Sequence, residues 1–409
     1  MKALVLAGGF PQIALLKELS KRNIETVLAD YYENPVAKPY ADKFYRASTL
    51  DVTSITDIAK AEKVDFLITA CTDQALLTVA QVSEALGLPC YIDYQTALNV
   101  TNKSYMKKVF SENNIPTAKH VVMAELDPHK VEGMKFPLIV KPVDCNSSKG
   151  VKKVTDFDEL AAAFENAVRL SRTDTAIVEE YIVGEELSAD VYVEDGVAHV
   201  LSVSSLDKIA NNDKFVIFRG VYTKEKTEAV RPVVTKIAQQ IADAFGLKNS
   251  PMLIQMIYDG KDAYVLEFSA RTGGGIKYLL IKKVANFDVL SAVVDLTLGV
   301  KPHVEKSSPE NKYIVNDFIY CNPGKFKKLS GFEELKNEGI ISDYYLFKWE
   351  GAVFDTIENS GDRVGGFTIQ ADTQEELRQK HVAAIERMSV LDENSNDMMR
   401  KDLLAYLDI

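Results

Sequence analysis

The apolar positions of this 409-residue chain change their period along its length. Residues 2–7, KALVLA, form a short unbroken apolar run that stops at Gly8-Gly9, the pattern of a buried strand. From Pro11 to Arg22 the apolar residues recur three and four apart, which predicts an amphipathic helix. A second strand, ETVLAD, ends at Asp30, and a third apolar run, DFLITAC, spans 65–71. A helix is expected from about Asp73 to Leu86, then a short strand at PCYID. Buried strands alternating with helices predict an α/β domain with a Rossmann-like parallel sheet wound on both faces.

The rhythm changes near residue 101. TNKSYMKKVFSENNIPTAKHVV has a capped helix start, a helix, and an extended segment entered at Pro116. FPLIVKPVDCNSSKGVKKV, residues 136–154, reads as a strand, a polar loop from Asp144 to Gly150, and a second strand. A helix from about Asp156 to Leu170 precedes the strand AIVEEYI, and another strand starts near Glu186. Residues 197–222 read as two strands around a polar loop, Asp207 to Lys214, that would suit a cover over a pocket. A helix from Glu228 to Phe245 leads to LIQMIYDGKDAYVLEFSARTGGG, two strand-like runs around an Asp-Gly turn. A helix from Asp288 to Leu298 follows. From about 312 an α+β segment is expected: IVNDFIYC, a glycine turn at 324, and GGFTIQA before a final helix.

Composition narrows the class. The chain is 46% hydrophobic and 26% charged, with a net charge of −11, a balance that argues against nucleic acid or an anionic membrane as main partner. MKALVLAGGF reads as a first strand and not a signal peptide. No apolar stretch approaches the roughly 20 residues of a membrane span. Cys71, Cys90, Cys145 and Cys321 are scattered, without a CxxC, which suggests free thiols in a cytoplasmic protein and no structural zinc.

Candidate chemistry gathers in a few places. Gly8-Gly9 after the first strand and Asp30 after the second suggest a dinucleotide site, but GGFPQI lacks the spaced glycines of that fingerprint. A small-molecule pocket at the strand ends and a purely structural sheet both remain open. In the loop 144–150, Ser147, Ser148 and Gly150 are small enough for backbone N–H groups to converge on an anion, and Lys141 would add a point charge for phosphate; the bland alternative is a surface hairpin. The segment around Glu180 to Glu186 can bind a purine by its backbone and ribose hydroxyls by a carboxylate, or be merely solvated. Glu267, Ser269 and Arg271 alternate, so a strand presents them on one face. A carboxylate at Glu267 facing the carboxamide of Gln255 would make a hard-oxygen site for magnesium, and Arg271 would serve phosphate beside it.

Together these motifs resemble the ATP-grasp superfamily in order and spacing, over roughly residues 1–300: NK at 102–103, PLIVKPxxxxSSKGV, VEEYIxGEE, LIQ, then VLEFSAR. The resemblance implies a pre-ATP-grasp α/β domain (1–102), two α+β ATP-grasp subdomains (103–185 and 186–310) and a C-terminal α+β domain (311–409). It implies ATP with Mg2+ or Mn2+, Lys103 and Lys141 on the alpha- and beta-phosphates, and Ser147, Ser148 and Gly150 in a closing loop. Glu179 would accept from the adenine amino group, the backbone at Glu180, Tyr181 and Ile182 would read the ring, and Glu186 would take the ribose. Gln255 and Glu267 would hold the metal, and Arg271 would neutralise the transferred phosphoryl group. Ser269 stands where the family usually has Asn, which weakens it as a ligand to a second metal. Arg271-Thr272-Gly273-Gly274-Gly275 is similar to carboxylate–amine ligases that join amino acids, and Arg363-Val364-Gly365-Gly366 to the extra domain of those ligases and of the biotin carboxylase group. A long glycine-rich loop of biotin carboxylase is missing. The implied partners are a small carboxylate and an amine, without nucleic acid or membrane, in a chain that could form a homodimer. A purine-pathway or carbamoyl-phosphate-type ligase is the alternative enzyme, and a non-catalytic ATP-binding module the alternative class.

One geometric condition decides the metal site. An even loop centred on Gly260-Lys261 sets Gln255 across from Leu266 and turns Glu267 to the other face. The two ligands share a face only with an odd loop or a bulge, expected at Gly260.

Overall fold

A computed structural model describes residues 1–145, 149–209, 215–305 and 312–407. The first strands, β1 (Lys2–Leu6), β2 (Glu25–Asp30), β3 (Lys43–Arg46) and β4 (Phe66–Ile68), form a parallel sheet in the order β3-β2-β1-β4. Apolar clusters cover both of its faces, one built on Leu15, Leu16 and Leu19, the other on Ile55, Val79 and Val82. The helix Asp73–Leu86 lies where its period places it. β3 and the helix Val52–Glu62, which Asp51 caps through the Ser54 N–H, have no counterpart in the sequence reading. PCYID is not a strand. Its apolar side chains instead pack towards the core of the larger sheet, and the Tyr91 hydroxyl donates to the Ala270 carbonyl at 3.0 Å.

An antiparallel sheet of order β5-β8-β6-β7 comprises β5 (His120–Met123), β6 (Leu138–Pro142), β7 (Lys152–Val154) and β8 (Ala176–Glu180). The helix Phe157–Leu170 packs on it through Leu160, Ala163, Phe164 and Ala167.

The largest sheet has eight strands: β9 (Glu185–Glu194), β10 (Val197–Lys208), β11 (Ile217–Thr223), β12 (Ser250–Tyr258), β13 (Ala263–Ser269), β14 (Tyr313–Ile319), β16 (Asp343–Leu346) and β18 (Gly365–Ala371). Their order is β13-β12-β9-β10-β11-β14-β18-β16, so one sheet runs across residues 185–371 and past the expected division at 310/311. β15 (Gly324–Ser330), β17 (Val353–Phe354) and β19 (Ser389–Asp392) form a small separate sheet, and β19 follows the helix Gln374–Arg387 that was expected to be last. One face of the large sheet is apolar at β9 and β12 (Leu187, Ala189, Met252, Ile254) and is covered by the helix Lys224–Ala244 through Val230, Val234 and Ile237. The helix Lys103–Glu112, capped by Asn102, buries Met106 and Phe110 in the same core. A buried charge cluster stitches β11 to β14: Arg219 Nε donates to Asp317 Oδ1 at 2.5 Å, and His381 Nε2 lies 2.7 Å from Asp317 Oδ2. Among the described residues no helix is long and apolar enough to cross a membrane.

Candidate active site

The hairpin of β12 and β13 sets the site. Tyr258 pairs with Ala263, Ile257 with Tyr264 and Met256 with Val265; the register then slips and Gln255 pairs with Glu267. The loop is therefore even, residues 259–262, and the expected bulge at Gly260 is corrected to an extra residue at Leu266. The condition itself holds, because the bulge brings Gln255 and Glu267 opposite one another. β13 is an edge strand, and its bulge is held from outside: Val265 N–H donates to the Pro116 carbonyl at 2.8 Å, and Thr117 Oγ1 to the Val265 carbonyl at 2.7 Å.

Three lysines surround these two residues. Lys103, the first residue of its helix, reaches Glu267 Oε2 at 3.1 Å and donates to the Cys145 carbonyl at 2.8 Å. Burial works against the Glu267 carboxylate, yet Lys103 and Lys141 outweigh it and hold it below the usual range. Lys141 Nζ lies 2.6 Å from Glu179 Oε2, and Lys107 Nζ lies 2.7 Å from Glu179 Oε1. Glu179 was expected to accept from an adenine amino group. Its carboxylate is instead committed to two lysines, with 3% of the side chain exposed. Lys107 is fully buried; burial, aided by Lys141, outweighs Glu179 and brings it down to about 8.

Burial opposes ionisation of Glu179 as well, but Lys107 and Lys141 carry it to about 2 from an ordinary 4.5. Its stabilising contribution is thus complete above about pH 4.5 and is lost as the pH falls towards 2. Glu179→Gln leaves two buried lysines without their anion. At neutral pH it is expected to cost about 3–5 kcal/mol in urea unfolding, and the gap to the wild type should close as the pH falls through that window. A gap independent of pH would contradict the assignment.

An open cavity lies beside these lysines. Ala118, Ile139, Val151, Ile182, Ile257 and Leu266 give it apolar walls, and Lys103, Lys141, Glu186, Gln255 and Glu267 gather at its polar side. Glu180 and Tyr181 also line it, but their N–H groups donate to the Lys119 and Pro137 carbonyls at 2.9 and 3.0 Å. Neither N–H is open to a ring. Glu186 is buried and ion-paired with Lys208. Gly150 has a φ of +74°, and a Cβ there would meet Leu170 at 2.7 Å, so only glycine suits the position. Ser147 and Ser148 lie outside the described residues.

A second, larger cavity shares Ile217, Gln255 and Glu267 with the first. Its floor is the large sheet, with Ser188, Ser204, Leu206, Tyr222, Asn316 and Phe318 facing up. Three cations line it: Arg271, Lys277 and Arg363. Lys277 lies 3.2 Å from Asp190, whereas Arg363 has no carboxylate partner among the described residues. Its guanidinium stacks 3.6 Å from the centre of the Phe318 ring and donates to the Tyr320 hydroxyl and the Ile217 carbonyl at 2.9 and 2.7 Å. The Ser269 hydroxyl donates to Asp73 Oδ1, which also receives Arg271 Nε at 2.8 Å.

The oxygens of Gln255 and Glu267, ringed by lysines suited to phosphate, fit a hard divalent cation completed by phosphate and water. Among the described residues no cluster of three His, Cys, Asp or Glu forms a closed metal cage. The sequence reading missed Asp73, Lys107, Lys208 and Lys277, and it noted Arg363 without placing it in the site. Asp73 had a signal: it follows β4 at the carboxyl edge of a parallel sheet, where such sheets bind ligands.

Residues 134–278 match a family model described as the ATP-grasp domain. Within that segment the chain carries an ATP-grasp domain. The relatives it resembles are named as ligases. It is 23% identical over 354 residues to an L-arginine-specific L-amino acid ligase of Bacillus subtilis, covering 83% of this chain and 84% of that protein. To the phosphoribosylamine–glycine ligase of Methanococcoides burtonii it is 24% identical over 393 residues, 89% of each chain. In fold it is similar to the L-amino acid ligase from Bacillus licheniformis, with a TM-score of 0.80, 19% identity and coverage of 96% of this chain and 99% of that one. The parallel sheet followed by large antiparallel sheets is the ATP-grasp arrangement expected from the motifs.

Proposed function

We propose that this ATP-grasp ligase activates a small carboxylate as an acyl phosphate and transfers the acyl group to an amine, joining amino acids or similar small molecules. The observation that carries the reading is the shared wall: Gln255 and Glu267 face both cavities. The smaller cavity, with apolar walls and two lysines, suits a nucleotide; the larger, with an unpaired arginine, suits a carboxylate. A carboxylate oxygen attacks the gamma-phosphorus and the bond to ADP breaks. The amine then attacks the acyl carbon, phosphate leaves, and the amine proton passes to solvent. Lys103 and Lys141 hold the phosphates and offset charge, which is most of what phosphoryl transfer asks of a protein. Bound Mg2+ would supply charge neutralisation at Gln255 and Glu267. Ile182 supports adenine through its backbone, Glu186 supports the ribose, and Arg271 faces the phosphoryl group. The reading includes a cytoplasmic location and allows a homodimer.

Release of ADP and phosphate over a panel of amino-acid pairs tests the proposal. ADP formed only with a phosphoribosylamine and glycine would move the chain to the purine-type reading, and ATP binding without turnover on any pair would make it a binding module. Arg363→Ala is expected to raise the KM for the carboxylate by about 10- to 100-fold, the worth of one charge-assisted contact, with the KM for ATP unchanged. A rise confined to ATP would remove Arg363 from the substrate cavity.

A further inference from the structure

Asp73 belongs to the N-terminal domain, just past the end of β4, yet its carboxylate is bound to Ser269 and Arg271 at the end of β13. It is the first residue of the helix Asp73–Leu86. Its Oδ1 accepts from Ser269 Oγ and from Arg271 Nε at 2.8 Å, and its Oδ2 accepts from Arg271 Nη2. The Arg271 and Asp73 side chains are each only 15% exposed. Arg271 Nη1 donates to the Thr272 carbonyl at 2.8 Å. A guanidinium gripped through Nε and Nη2 is held side-on, and with Nη1 on the Thr272 carbonyl it keeps one N–H on each Nη for an anion. Asp73, Glu267 and Arg271 line the same cavity.

We infer that Asp73 is a positioning residue, one that locks Arg271 side-on so that the open edge of its guanidinium meets the phosphoryl group in flight; the inference rests on the ligase reading above. A long side chain just past the end of an edge strand has many rotamers, and a bidentate carboxylate restricts them. Ser269 completes the clamp by fixing the Asp73 oxygen that receives Nε. The same contacts make catalysis depend on how the N-terminal domain seats against the large sheet.

The test uses the full chain with the best acid–amine pair from the panel. Asp73→Asn keeps the shape and removes the charge. Because a misplacement of about 1 Å can cost about 100-fold, kcat is expected to fall by about that factor, with the Kd for MgADP within about twofold of wild type. In an Arg271→Lys background, where no side-on grip exists, Asp73→Asn is expected to cost less than about threefold. Equal losses in the two backgrounds would overturn the inference, as would an unchanged kcat with only a lowered Tm, the mark of a domain staple. Asp73→Ser replaces Asp73→Asn where the latter gives no folded protein. Where no pair yields ADP from the wild type, the ligase reading falls by itself. The inference is then decided by binding of ADP with aluminium fluoride, a mimic of the transferring phosphoryl group. Loss of that complex in Asp73→Asn, with MgADP binding kept, supports it; equal binding to both proteins overturns it.

Discussion

Glu267→Gln is expected to abolish ADP formation while leaving nucleotide binding measurable. The substitution keeps the shape of the side chain and its place opposite Gln255. It removes the negative charge that pairs with Lys103 at 3.1 Å and that a divalent cation would need. Ground-state binding draws on the apolar walls of the nucleotide cavity and on both lysines, which the substitution leaves in place. Charge neutralisation during phosphoryl transfer has no such reserve. A fall in kcat of about 1000-fold or more is expected, at the upper end of what one preorganised electrostatic contact supplies. Coupled detection of ADP and calorimetric titration with MgADP separate the two effects. Undiminished turnover would remove Glu267 from the metal site.

Lys141→Ala is expected to weaken ATP by about 10- to 100-fold, the range for a hydrogen bond to a charged group, and AMP by much less. Lys141 sits in the wall of the nucleotide cavity with its ammonium 2.6 Å from Glu179. Lys107 remains on the other oxygen of Glu179, so that carboxylate keeps a partner and the fold should tolerate the change. Titration with both nucleotides decides the matter. Equal losses for ATP and AMP would show that Lys141 does not act on phosphates beyond the first.

Much of this site could be read in the sequence because its parts are local. The alternation of Glu267, Ser269 and Arg271, the capped helix start at Asn102-Lys103 and the strand carrying Lys141 each follow from neighbouring residues. What stayed hidden was set by residues far along the chain. Nothing near Leu266 announces a bulge; the Pro116 carbonyl on the open edge of β13 holds it there. Lys107 lies in an amphipathic helix, where a lysine ordinarily reads as solvent-facing, and only the fold shows it buried against Glu179. Ser269 ends β13 and Arg271 lies just past it, and their shared partner Asp73 comes from a helix of the N-terminal domain. PCYID has the apolar content of a strand, and tertiary packing used that content without a sheet.

The large sheet has a consequence for how such a protein changes over generations. Along its middle strands neighbouring residues serve opposite ends: Ser188 and Gln255 face the substrate cavity, while Leu187 and Ile254 lie in the apolar core beneath. β14 repeats the division, with Asn316 towards the cavity and Val315 towards the core. Five adjacent strands, β12 to β14 in sheet order, make a floor about 19 Å wide at the usual strand spacing of roughly 4.8 Å. Replacements at polar floor positions such as Ser188 and Asn316 remove no core methyl groups and shift no register. A lineage can therefore re-cut the floor for a new acid or amine, one strand at a time, while the fold and its phosphate chemistry are inherited intact.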